Sequence, residues 1–233
     1  MKAFDTIWEQ LHQDMEWGSY PSEEVVRFVA RNFYEQERKN TKILDLGCGA
    51  GANTFFLANE GFNAYAIDGS ETAVRKAETY LAQNHLQAHT ITGDIISLPY
   101  DPNFFDCIID NAVIYAHRLS AIQQILKECH RVLKPGGLLF STGLFTLQTT
   151  GAATGTKLEE NTYCDEKEGI IQKRGTAHYF TEHELKETFE YAGFCIEAVD
   201  SCVRTEYNQA VVIAYHMITA KKPITNNSFH EGD

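Results

Sequence analysis

The sequence predicts an α/β fold: one domain built on an open, doubly wound, mostly parallel sheet with helices on both faces. Three observations carry this. Short apolar runs alternate with helical stretches from Lys42 to Thr142. The glycine-rich turn Gly47-Cys48-Gly49-Ala50-Gly51 closes the first of those runs. Two β-rich runs near the end, Cys195 to Val203 and Ala210 to Thr219, flank polar Thr205 to Gln209 and read as an antiparallel hairpin on the sheet edge.

Residues 1–40 form a helical prelude. Trp8, Leu11 and Met15 recur at spacings of three and four, which places them on one helix face. The run Trp17-Gly18-Ser19-Tyr20-Pro21 breaks that helix. Ser22 caps a second one, with Glu23 and Glu24 in its positive first turn and Val25, Val26, Phe28 and Val29 along it. A charged link, Glu35 to Lys42, precedes the core, expected over 41–220.

There Lys42 to Leu46 predicts a first strand and Asn53 to Asn59 a helix. Asn63 to Ile67 predicts a second strand, and Ser70 caps a helix to Gln83. His89 to Thr92 and Phe105 to Ile109 predict the third and fourth strands. A helix from about Ala121 to Leu133 then leads to a fifth strand, Leu138 to Thr142. Between them Pro135 stops the helix, and Gly136 and Gly137 turn the chain. Residues 144–177 are Gly- and Thr-rich, then charged, and read as an irregular insertion of the lid or binding-loop kind. Thr181 caps a last helix to Tyr191, with Glu184 completing a capping box and Gly193 just past the end. Residues 221–233 read as a flexible polar tail.

Composition narrows the partners. Of 233 residues 43% are hydrophobic and 22% charged, a globular balance. The 32 acidic residues outnumber the 20 Lys and Arg, and the net charge of −12 argues against a nucleic-acid footprint, which needs surplus cations. No apolar run approaches the ~18 residues of a membrane helix. The N-terminus lacks the apolar region of a secretory signal, so a cytoplasmic address and no membrane partner are expected. None of the six cysteines pairs as Cys-x-x-Cys; Cys48, Cys107 and Cys195 lie in core-like segments, and neither a metal site nor a disulfide framework is expected.

Polar residues cluster where parallel strands end. Glycines in the first turn let backbone approach a ligand without a Cβ in the way. Asp68, about twenty residues on, can accept from both hydroxyls of a ribose. Gly93-Asp94-Ile95 and Asp110-Asn111-Ala112 end the third and fourth strands, at the rim where such sheets bind ligands. Gly47, Gly49 and Ala52 also satisfy the looser pattern of a dinucleotide site, so this turn by itself leaves an NAD-dependent oxidoreductase open.

Together, Asp45-x-Gly47-x-Gly49-x-Gly51, Asp68, Gly93-Asp94 and Arg131 to Gly137 resemble the class I S-adenosylmethionine-dependent methyltransferase family, from about Lys42 to Ala220. The resemblance implies a seven-stranded sheet in the order 3-2-1-4-5-7-6 with strand 7 antiparallel. It implies S-adenosylmethionine as cofactor, with Asp45, Gly47, Gly49 and Gly51 around its methionine portion. Asp68 would hold the ribose, with Gly69 beside the adenine. Asp94 would take the adenine amino group, with Ile95 packed on the ring. Asn111 would offer its carbonyl near the cofactor's amino group. Tyr20 and the N-terminal helices would form a lid.

The expected reaction is in-line displacement of the methyl group onto a small-molecule acceptor in a monomer or homodimer. Acceptor-side candidates are Tyr115 and His117 after the fourth strand, and Tyr163 and His178 in or beside the insertion; a histidine suits general-base work. Each histidine also has a plain structural reading: His117 as a surface residue at a helix start, His178 as a brace for the insertion. A non-catalytic cofactor-binding module is the other alternative.

Overall fold

The computed structural model describes residues 3–224. Its elements are α1 (Ile7–Asp14), α2 (Glu23–Phe33), β1 (Lys42–Leu46), α3 (Ala52–Asn59), β2 (Asn63–Asp68), α4 (Glu71–Gln83) and β3 (His89–Thr92). They continue with β4 (Phe105–Asn111), α5 (Leu119–Val132), β5 (Leu133–Phe145), β6 (Thr156–Glu159), β7 (Thr162–Cys164), β8 (Thr176–His178), α6 (Glu182–Tyr191), β9 (Cys195–Glu206) and β10 (Val211–Lys221).

Seven strands form one sheet in the order β3-β2-β1-β4-β5-β10-β9. The first five are parallel, while β10 runs antiparallel to both β5 and β9. This is the order the resemblance implies, with β9 and β10 as strands 6 and 7. The hairpin forms the sheet edge as expected, with β10 paired to β5 and β9 outermost.

Alternation along the strands decides which helix covers which face. Ile43, Cys107 and Ile109 join Val25, Phe28, Val29 and Phe33 of α2 and Phe56 and Leu57 of α3 in one cluster. Leu44, Leu46 and Ile108 point the other way, into Ile122, Ile125 and Leu126 of α5 and Leu185 and Phe189 of α6. Phe28 stacks on Phe140 at 4.4 Å between ring centroids. Each fully buried Leu, Ile or Phe contributes about 1.5–3 kcal/mol of transfer free energy.

Caps follow the sequence signals. The hydroxyls of Ser22, Ser70 and Thr181 accept from Val25, Ala73 and Glu184 N–H. The capping box at Thr181 is one-sided, because the Glu184 carboxylate accepts from Asn161 Nδ2 at 3.1 Å instead. Arg131 clamps the loop before β4, donating to the carbonyls of Leu98 and Tyr100 and to Glu128.

Four expectations are corrected. The fifth strand is longer than the apolar run, because Leu133 already pairs with Phe105 and the Pro-Gly-Gly segment forms a register shift within it. Residues 144–177 are not irregular throughout: β6, β7 and β8 make a small antiparallel sheet. That sheet is tied down by buried Glu166, which accepts from Ala153 N, Thr154 Oγ1, Gly155 N and Tyr179 OH. Cys195 is exposed at the start of the edge strand, and Cys129 on α5 is buried in its stead. Lys221 belongs to β10 and Lys222 N donates to Gly137 O, so the chain is still paired there. The rest of the expected tail, residues 225–233, lies outside the described residues.

Candidate functional site

A cavity of about 370 Å³ opens at the carboxyl ends of β1 to β5. Its floor comes from the strand ends: Gly47 to Ala50, Asp68 and Gly69, Gly93 to Ile95, and Asn111 to Val113. Its roof comes from the prelude, with Phe4, Asp5, Trp8, His12, Trp17 and Tyr20, and from Arg174 of the insertion. Strand polarity explains the floor, since parallel strands deliver every following loop to one rim.

The glycines of the first turn do different jobs. All three have positive φ, at 68°, 52° and 89° for Gly47, Gly49 and Gly51. A Cβ on Gly51 would lie 2.7 Å from the Ala77 Cβ, so that glycine lets α3 and α4 approach and does not line the cavity. One on Gly47 would lie 2.5 Å from Val113. On Gly49 it would meet only His12, at 3.5 Å, so this is where backbone is bare toward the cavity.

Asp45 also lies off the cavity. It is buried beneath the turn, accepting from Thr54 Oγ1 at 2.6 Å and Asn53 Nδ2 at 3.4 Å, so it anchors the start of α3. Burial pushes its carboxyl up to about 6 against those two hydrogen bonds. Asp110, buried at the end of β4, is likewise pushed up to about 6 by burial while accepting from Ser141, Val113 N and Ile114 N.

Asp68 does reach the cavity. Its Oδ2 accepts from Gly49 N at 2.9 Å and its Oδ1 from Ser70 N at 2.8 Å. A carboxylate offers about four lone-pair sites, so one remains on each oxygen, the number two ribose hydroxyls require. Burial raises the Asp68 carboxyl, opposed by those backbone donors and by His12.

Asp94 is more heavily used than the sequence suggests. Its Oδ2 accepts from Ala3 N at 2.7 Å and Phe4 N at 3.1 Å, while Oδ1 accepts from Ile96 N at 3.1 Å. One acceptor position on Oδ1 is left. Phe4 lies so close that a Cβ on Gly69 would collide with its ring. Ile95 and Asn111 line the cavity, and Tyr20 stands at its mouth, 88% exposed.

Of the acceptor-side candidates, Tyr115 and His117 line the cavity. His117 Nδ1 lies 3.2 Å from Val113 O and 3.4 Å from Ile114 O. Both partners only accept, so Nδ1 carries the proton and Nε2 keeps its lone pair. Burial lowers the imidazole below its ordinary value, which keeps it neutral. Tyr115 is buried against Phe145; burial raises its hydroxyl, opposed by the nearby Arg174 guanidinium.

His178 is not brought there. It is fully buried, with Nδ1 2.7 Å from Thr162 Oγ1 and Nε2 3.5 Å from Glu184 Oε2. It braces the small sheet against α6, the plainer of the two readings. Tyr163 lies 6.1 Å from Tyr179 in that sheet, also off the cavity lining.

Among the described residues, three that line the cavity carry buried polar atoms with no hydrogen-bond partner: His12 Nδ1, Trp17 Nε1 and Asn53 Oδ1. Such orphans are rare in native proteins and mark places where a ligand or water completes the bonding. His12 is 6% exposed, its ring 5.2 Å from that of Trp17. The prelude that carries them is held by Glu9, which accepts from the hydroxyls of Ser70 and Thr72; these bonds hold its carboxyl down at about 2. Sequence periodicity marked Trp8 as core-facing and gave no sign of His12, Trp17 or Arg174, because their convergence needs contacts across most of the chain.

Comparison with known proteins agrees with this geometry. Residues 43–137 match a family described as a methyltransferase domain. A solved S-adenosylmethionine-dependent methyltransferase from Methanosarcina mazei superposes with a TM-score of 0.71 at 25% identity, covering 88% of this chain and 100% of that one. A ubiquinone biosynthesis O-methyltransferase from Rickettsia akari is 30% identical over 45% of this chain and 41% of its own. A ribosomal RNA small subunit methyltransferase C from Alcanivorax borkumensis is 32% identical over 44% of this chain and 32% of its own. The chain thus spans less than half the length of these curated relatives.

Proposed function

We propose that the chain, whose residues 43–137 match a methyltransferase domain and whose fold superposes on a solved S-adenosylmethionine-dependent methyltransferase, transfers the methyl group of S-adenosylmethionine to a small-molecule acceptor. The residues present fit the cofactor. Gly49 offers bare backbone, Asp68 keeps two acceptor sites, and Asp94 keeps one. When bound, the cofactor supplies an electrophilic methyl carbon and its own leaving group.

The chain's part is to bind, orient and exclude water. Gly47 and Gly49 flank the methionine portion, with His12 over Gly49 and Trp17 beside His12. Asp68 holds the ribose, and Ile95 and Gly69 bound the adenine. Residues 1–40 serve as the lid, docked by Glu9 on α4 and by Ala3 and Phe4 on Asp94. His117 Nε2 is the group able to take a proton from a hydroxyl acceptor, since Nδ1 is already committed to carbonyls.

The observation that carries a small acceptor is the roof. Prelude and insertion enclose the cavity with aromatic side chains, and among the described residues Arg174 is the one Arg or Lys lining it. A polynucleotide needs several cations along its phosphates. Methyl transfer from isotopically labelled S-adenosylmethionine, run against a metabolite panel and against total RNA, tests this. Label on a small molecule is the expected result; label on RNA alone overturns it. Calorimetry with S-adenosylhomocysteine and with NADH separates the oxidoreductase alternative, which requires NADH to bind more tightly.

A further inference from the structure

We infer that Arg174 is the recognition point for a carboxylate on the acceptor, which places the substrate among flat, apolar or aromatic carboxylic acids. This rests on the methyl-transfer reading above and names its substrate class.

Arg174 is presented by a turn whose backbone is fixed from several sides. Its N–H donates to Ile171 O at 3.2 Å, and Ile171 is buried in the core. Asp165 N donates to the carbonyl of the next residue, Gly175. A Cβ on Gly175 would lie 2.6 Å from Asp5 Oδ2, so the turn seats directly on the prelude at the cavity mouth.

From there the guanidinium lies 5.5 Å from the Trp17 ring centroid and lines the same cavity as the buried Tyr115. Among the described residues, no carboxylate lies within 4.0 Å of it. That is notable in a chain with 32 acidic residues and 20 basic ones. A guanidinium carries five donors in a planar fork that matches a carboxylate bidentately. The Trp17 ring packs beside that fork and helps hold its orientation.

Position favours the acceptor over the cofactor. Tyr115 follows β4 and Phe145 ends β5, whereas the bare backbone of Gly49 follows β1. In-line displacement requires the acceptor on the far side of the methyl carbon from the sulfur. Tyr115 and Phe145 then provide apolar walls for the body of the acid, and His117 lines the same cavity. The cofactor's methionine carboxylate is the other source of the same chemistry, and the test separates the two.

The experiment is binding calorimetry on the intact protein saturated with S-adenosylhomocysteine, using hydroxylated benzoates and cinnamates, each beside its methyl ester. Acids are expected to bind at least ~10-fold more tightly than their esters, about one charge-assisted hydrogen bond. In Arg174→Gln that preference is expected to vanish while ester affinity and S-adenosylhomocysteine affinity stay within about twofold, and Arg174→Lys should restore part of it. No preference in the wild-type protein, or equal loss of acid and ester in the variant, overturns the assignment. A ~10-fold loss of S-adenosylhomocysteine affinity in Arg174→Gln overturns it in favour of the cofactor carboxylate. Failure of the wild-type protein to bind S-adenosylhomocysteine is a separate outcome that removes both this inference and the methyl-transfer reading.

Discussion

Asp94 Oδ2 accepts the backbone N–H of Ala3 at 2.7 Å, joining the loop after β3 to a residue 91 positions earlier in the chain. A carboxylate expected to read adenine therefore also latches the N-terminal segment over the cavity. Asp94→Ala is expected to weaken S-adenosylhomocysteine binding and to speed cleavage within the first six residues by a nonspecific protease. Weaker binding with unchanged proteolysis would mean that Phe4 packing alone holds the segment.

Asp68 organises backbone on two sides, at Gly49 and Ser70. Removing it in Asp68→Ala leaves both N–H groups unpaired and deletes the proposed ribose contact. Calorimetry should show S-adenosylhomocysteine affinity reduced by about 2 kcal/mol or more, since each unsatisfied buried group costs ~1–3 kcal/mol. An unchanged dissociation constant sinks the ribose assignment.

Two glycines in the same turn should fail in different ways. Gly51→Ala drives a Cβ against Ala77 at a φ of 89° and is expected to destabilise the fold by about 1–3 kcal/mol, seen as a lower Tm. Gly49→Ala meets nothing closer than 3.5 Å, so its stability cost is about 1–2 kcal/mol of backbone strain. Its larger effect should be on cofactor affinity. If the two variants lose Tm and affinity in the same ratio, the division of labour is wrong.

Glu9 makes docking of the N-terminal segment pH-dependent. Its carboxyl is held at about 2 in the fold by Ser70 and Thr72, below the ordinary 4.5. The native state thus binds the proton less readily than the unfolded chain. The contribution is complete above pH 4.5 and is lost as pH falls toward about 2. Protease resistance of α1 should follow that curve in the wild-type protein, and Glu9→Gln should be sensitive already at neutral pH and flat below it.

For a hydroxyl acceptor, His117→Gln should lower kcat by ~10²–10⁴-fold while S-adenosylhomocysteine affinity is retained. In the wild-type protein the rate should fall on the acid side at a pH below 6.5, because burial lowers the imidazole and protonation at Nε2 removes the base. An acid limb that survives in His117→Gln would assign the proton to another group.

Much of the architecture was legible because its causes are local or periodic. Alternating apolar residues in β1 and β4, the caps at Ser22, Ser70 and Thr181, and the glycine turn each act within a few residues. Even the placement of Asp68, Asp94 and Asn111 at one rim follows from parallel strands, whose carboxyl ends must face the same way. What spacing could not reveal was which way each side chain is committed once the chain closes. Asp45 and Gly51 look equivalent to Gly49 in the motif, yet they face α3 and α4. His178 looked as eligible as His117, yet Thr162 and Glu184 hold it in the core.

By itself the sequence determined the strand and helix alternation, the glycine turn and the set of carboxylates at strand ends, since propensity, period and capping are properties of short stretches. Only the tertiary structure decided that His12, Trp17 and Arg174 meet above Gly49 and Tyr115. Their convergence depends on where the prelude and the insertion dock, and that is set by contacts such as Glu9 with Ser70 and Gly175 with Asp5, which join residues far apart in the chain. Such pairings leave no periodic trace, because each is a single meeting of two surfaces and not a repeated local preference.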